Sequence, residues 1–111
     1  MANKNKLVRD KIPDLIRAEG DIPEIEVLGK EDFAEKLAEK LLEECQEVNQ
    51  AREKVEKTEE LADLLEVMTA IANLNKISML EINRVRLKKR EARGAFKERI
   101  LLKGKTKIKE K

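Results

Sequence analysis

Four carboxylates at regular spacing are the residues of this chain best placed to do chemistry. Glu44 with Glu47, and Glu60 with Asp63, form two pairs, each three residues apart. They fall in two apolar helical patterns, L-L-E-E-C-Q-E-V and T-E-E-L-A-D-L-L-E-V-M, with a charged break between them. An all-oxygen ligand set of this kind suits a hard divalent cation, Mg²⁺ or Mn²⁺, rather than zinc or copper. The absence of histidine points the same way. It removes imidazole acid–base catalysis, Ser-His-Asp and Cys-His nucleophiles, and nearly every catalytic zinc site. Carboxylates, lysines, arginines and a borrowed metal remain.

Helical wheels separate the acids that face inward from those that face water, because each residue advances about 100°. On the first helix the apolar set is Ala34, Leu37, Ala38, Leu41, Leu42, Cys45, Val48 and Ala51. Glu44 lies roughly 70° from the centre of that arc, Glu47 about 130°, and Glu43 nearly opposite. On the second helix the set is Leu61, Leu64, Leu65, Val67, Met68, Ile71 and Ala72. Glu60 falls about 55° from its centre and Asp63 about 115°, with Glu59 and Glu66 pointing away. Glu44 and Glu60 are thus pressed toward the apolar seam, whereas Glu43 and Glu59 read as ordinary solvated acids. A carboxylate in such a seam needs a cation or a raised pKa. The alternative is that these acids pair with some of the 25 lysines and arginines on neighbouring elements.

The elements that must position these acids are helical. Charged residues make up 43% of the 111-residue chain and aromatics 2%, a mix that favours helices over a β-sandwich. Asp10 is placed to cap a short helix to about Ala18, with Pro13 in its first turn and Gly20 as the stop. A long helix is expected from about Glu31 to Arg52–Lys54. A second is expected from Thr58, a good N-cap, to about Asn73–Lys76. Ser78 with Glu81 forms a capping-box pattern opening a third long helix, which Gly94 ends after Arg93. Alternation in 25–28 and 96–102 suggests a minor two-strand pairing. The expected fold is an all-α bundle of three longer helices and a short N-terminal one, completed by oligomerisation.

Composition bounds the partners. One domain over residues 1–102 is expected, followed by a basic tail at 103–111 holding five lysines and one acid. The remainder has 20 basic and 22 acidic residues, and the chain lacks tyrosine and tryptophan. A nucleic-acid platform is therefore disfavoured. No apolar run approaches the roughly 18–20 residues of a membrane span, and no secretory segment is evident, so a cytoplasmic protein is expected. The lone Cys45 has no disulfide partner. Gly104-Lys105-Thr106 resembles the end of a Walker loop, but Arg99 occupies the position of its required first glycine.

The E-x-x-E at Glu44–Glu47 followed by the E-x-x-D at Glu60–Asp63 resembles the all-α nucleotide pyrophosphohydrolases of the MazG type. The opening K-L-V-R-D-K-I-P and the later K-R-E-A-R-G-A-F are similar to its small phosphoribosyl-ATP-pyrophosphohydrolase-like branch. Ala95–Phe96 departs from it where a second glycine would be expected. The resemblance covers about residues 6–102. It implies a dimer or tetramer of helical chains, with Glu44, Glu47, Glu60 and Asp63 holding Mg²⁺, for which Mn²⁺ could substitute. It also implies cleavage between the α- and β-phosphates of a nucleoside triphosphate, releasing monophosphate and pyrophosphate, with phosphoribosyl-ATP as the alternative substrate. A third possibility is a non-catalytic nucleotide-binding or dimerisation module. Glu47 is the candidate general base. Lys6, Arg9 and Lys11 at one end, and Lys89, Arg90 and Arg93 at the other, are the candidate phosphate clamps.

Overall fold

The computed structural model describes residues 5–109. Its regular structure consists of α1 Ile12–Ala18, α2 Lys30–Gln50, α3 Lys54–Leu74 and α4 Met79–Arg93. The all-α expectation of three longer helices and one short one is met. The chain divides into two units, Met1–Met79 and Leu80–Lys111. The first holds α1 to α3 and all four acids.

In that unit α2 packs along α3. Each has 21 residues, and only residues 51–53 join them, so they run antiparallel. Ala51 ends α2 by turning extended while its N–H still reaches the Glu47 carbonyl at 3.0 Å. With no basic residue in its own last turn, α2 takes a cation from its neighbour. Lys57 Nζ donates to the Val48 carbonyl at 2.6 Å. That contact satisfies an otherwise orphaned carbonyl and complements the negative end of the helix dipole.

Two helix starts differ from expectation. Asp10 does not cap α1, whose N-cap is Lys11 with no side-chain hydrogen bond. Thr58 is not an N-cap either. It lies inside α3, its Oγ1 donating to the Lys54 carbonyl at 2.7 Å. The residues before it, K-V-E-K, contain no breaker and are mostly good helix formers, so the helix extends back to Lys54. The other end of α3 closes on a Schellman turn. Lys76 sits at φ 59, and the Ile77 N–H reaches the Ala72 carbonyl at 2.9 Å.

The apolar seam is narrower than the wheels predict. On α2 the sheltered positions form the stripe Leu37, Leu41, Glu44, Val48 and Ala51, while Ala34, Ala38, Leu42 and Cys45 are exposed. On α3 Glu60, Asp63, Leu64, Val67, Ile71 and Leu74 form the sheltered stripe and Ala72 is buried outside it near the helix end, while Leu61, Leu65 and Met68 are exposed. A two-helix contact covers a narrow strip, not the wide arc of a closed bundle. Narrowing the strip moves its centre to within about 20° of Glu44 and of Glu60, closer than the wide arc implies.

No strand forms among the described residues, so the pairing of 25–28 with 96–102 is absent. Ile25 and Val27 are exposed. An isolated two-stranded ribbon with no apolar face to bury is marginal at best.

The second unit holds α4 from Leu80 onward and the segment after it. Gly94 at φ 85 ends the helix, its N–H reaching the Arg90 carbonyl at 2.7 Å. Residues 97–98 form a turn, and the stretch to 109 has no helix or strand. The last two residues of the expected basic tail lie outside the described residues. Among those residues no helix is long and apolar enough to cross a membrane.

Candidate metal centre

The antiparallel hairpin sets the last two turns of α2 against the second turn of α3. One carboxylate oxygen from each of Glu44, Glu47 and Glu60 comes within 4.8 Å of the others. Glu44 is 5% exposed, the one buried charged residue among those described. Glu47 and Glu60 are half-buried. Inward placement follows from the seam: Glu44 lies one turn from Leu41 and Val48, and Glu60 one turn from Leu64.

The electrostatics of the group are strained. Burial pushes the Glu44 carboxyl above its usual range, the Glu47 charge adds to the rise, and Lys40 opposes it. Glu60 is pushed up to about 7, first by a hydrogen bond with Glu47, then by burial and by the charges of Glu47, Asp63 and Glu44. Glu47 offers Glu60 only another carboxylate, so a bond between them requires a proton on one of the two. Glu44 Oε2 and Glu60 Oε2 are both buried without a hydrogen-bond partner. Converging carboxylates with two orphaned buried oxygens make a donor set that fits a hard divalent cation.

The remaining predicted residues are distributed around this group. Asp63 is half-buried and stands outside the close group. Its Oδ1 accepts from Arg9 Nη2 at 2.7 Å. Lys6 Nζ lies 3.3 Å from Glu43 Oε1. Lys11 is exposed at the start of α1. Lys89, Arg90 and Arg93 are exposed neighbours on the last turns of α4, in the second unit.

Three residues that sequence reading passed over also belong here. Glu43 is not a freely solvated acid. It is half-buried and paired with Lys6 and, at 3.8 Å, with Lys40. Lys40 also reaches Glu44 Oε1 at 3.6 Å. With Lys36 it lines an open hollow of about 260 Å³ shared with Asn5, Lys6, Leu7, Glu39 and Glu43. The i, i+4 spacing of Lys36, Lys40 and Glu44 was the available signal, because it puts cations in line with the acid.

A helical hairpin that brings Glu44, Glu47 and Glu60 together defines an all-α protein with a converging carboxylate cluster. Residues 10–91 match the family described as phosphoribosyl-ATP pyrophosphohydrolase, and the chain belongs to that family, within the MazG-like nucleotide pyrophosphohydrolase superfamily. All four acids lie within the matched stretch, whereas Lys6, Arg9 and Arg93 lie outside it. No protein of curated function and no solved structure matches the chain.

Proposed function

We propose that the protein is a Mg²⁺-dependent nucleotide pyrophosphohydrolase that cleaves the α–β phosphoanhydride of a nucleoside-triphosphate group, releasing pyrophosphate. The observation that carries this reading is the convergence of Glu44, Glu47 and Glu60, with two buried oxygens that lack partners. Glu44, Glu47, Glu60 and Asp63 would hold the ion, and Mn²⁺ would serve in its place. When bound, such an ion offsets charge on the phosphate oxygens and acidifies water.

The chain's own residues do the rest. Glu47, at the edge of the seam, would accept the proton of the attacking water. Lys6, Lys36 and Lys40 line the hollow next to Glu44, paired there with Glu39 and Glu43, and would turn to a polyphosphate lying in it. Arg9 and Lys11 extend that charge along the N-terminal segment. Lys89, Arg90 and Arg93, exposed on α4, give the second unit cations of its own that suit a phosphate.

Family membership makes phosphoribosyl-ATP the first substrate to test. The competing reading is a house-cleaning enzyme acting on free nucleoside triphosphates. Both substrates carry the same triphosphate, so the same acids and cations would serve either. Pyrophosphate release from phosphoribosyl-ATP and from a panel of nucleoside triphosphates, compared by kcat/KM, decides between them. We further propose a homo-oligomer, since Leu42, Leu61, Leu65 and Met68 are exposed on the hairpin. Its place of work is the cytoplasm, in keeping with a single unpaired cysteine.

A further inference from the structure

The segment ahead of α1 is tied to both long helices. Lys6 holds Glu43 on α2, and Arg9 holds Asp63 on α3, residues 54 apart in the chain. Glu43 adjoins Glu44, and Asp63 lies one turn after Glu60, so the two anchors straddle the acids. Of the four predicted ligands, Asp63 alone has its carboxylate taken by a guanidinium.

We infer that Arg9 is a positioning residue that withholds Asp63 from a cation held by the other three acids, and that the phosphate of an arriving nucleotide draws Arg9 away and frees Asp63. This rests on the metal-dependent reading above and adds to it an order of assembly. A guanidinium fork fits a carboxylate and a phosphate equally well, and a multiply charged phosphate competes strongly for it. Arg9 is exposed and Asp63 is only half-buried, so water screens their pair and it is weak. Weakness is what an exchange requires: a strong pair would block the site. Metal and nucleotide should then bind with positive coupling that passes through Arg9.

The test is calorimetric titration of the full chain with Mn²⁺, alone and with a nucleoside triphosphate carrying a methylene bridge between the α- and β-phosphates. High ionic strength screens the general field of any removed cation. Without nucleotide, Arg9→Gln should tighten Mn²⁺ binding about two- to fivefold, the scale of an exposed ion pair. The same change made in Asp63→Asn should have no effect. Lys6→Gln, which removes equal charge from the same segment, should change affinity less than Arg9→Gln. The nucleotide analogue should tighten Mn²⁺ binding more in the wild type than in Arg9→Gln. Arg9→Lys, keeping charge without the fork, serves if the glutamine variant folds poorly, with a smaller change in the same direction. An Arg9→Gln effect that persists in Asp63→Asn, or no effect at all, overturns the inference. If the wild type binds Mn²⁺, Glu60→Gln does not, and Arg9→Gln matches the wild type, only this inference fails. If the wild type binds no Mn²⁺, the metal-dependent reading fails with it.

Discussion

Glu44 and Glu60 carry the clearest physical signature at the residue scale. Each titrates above the ordinary glutamate value of 4.5, Glu60 near 7. Folding therefore favours their protonated forms. The stabilisation this brings is fully present below about 4.5 and is lost as pH rises through about 7. The metal-free protein should accordingly show a thermal midpoint that falls from about pH 5 to about pH 8, followed by far-UV circular dichroism. Mn²⁺ should flatten or reverse the fall, because it binds the ionised carboxylates. Glu60→Gln should lose most of it. A metal-free midpoint that climbs across that window would contradict the crowding of Glu60 against Glu47 and the burial of Glu44. Sequence made these two acids legible through helical spacing alone. It did not reveal how central they are, because exposed Leu42, Cys45, Leu61 and Leu65 widened the apparent apolar arc. Nor could it show that Glu43 would be drawn into pairs with Lys6 and Lys40, since one of those contacts comes from a distant segment.

The hairpin of α2 and α3 is the element on which the site depends, and its ends hold testable contacts. Lys57 donates to the Val48 carbonyl from a half-buried position. Lys57→Met should cost about 1–2 kcal/mol in urea unfolding, by removing a charged donor from a carbonyl near the helix end. Lys76 occupies the left-handed conformation that glycine adopts without a Cβ penalty. Lys76→Gly should therefore stabilise the protein by about 0.5–1 kcal/mol. Both helices were predictable from their periodicity, and so was the stop after Arg93. The start of α3 was not, because Thr58 is an equally good cap and an acceptable helix-interior residue. Tertiary contact through Lys57 and the bond from the Arg52 N–H to Glu56 favour the earlier start. The supposed strands fail for a different reason: alternation in Ile25–Val27 has nothing to pack against.

At the scale of the whole molecule, the hairpin leaves Leu42 67% exposed and Leu65 53% exposed. Burying what remains exposed of such side chains between copies would stabilise an assembly by about 1–2 kcal/mol each. Light scattering coupled to gel filtration should show a dimer or tetramer, and Leu65→Glu should shift it toward monomer. A wild-type monomer at micromolar concentration would contradict the proposed assembly. Amphipathic patterning announced this surplus of apolar surface, but one chain's sequence does not say which copy or element covers it.

Pyrophosphate release most directly tests the claim that converging carboxylates make this protein a metal-dependent pyrophosphohydrolase. The measurement uses phosphoribosyl-ATP and nucleoside triphosphates with Mg²⁺, with EDTA, and with Glu44→Gln as the control. The expected result is release that EDTA abolishes and that Glu44→Gln lowers roughly 100-fold or more, at or beyond the 10–100-fold typical of outer-shell changes. Folded protein that releases no pyrophosphate from any substrate, or a Glu44→Gln variant as active as the wild type, would contradict it.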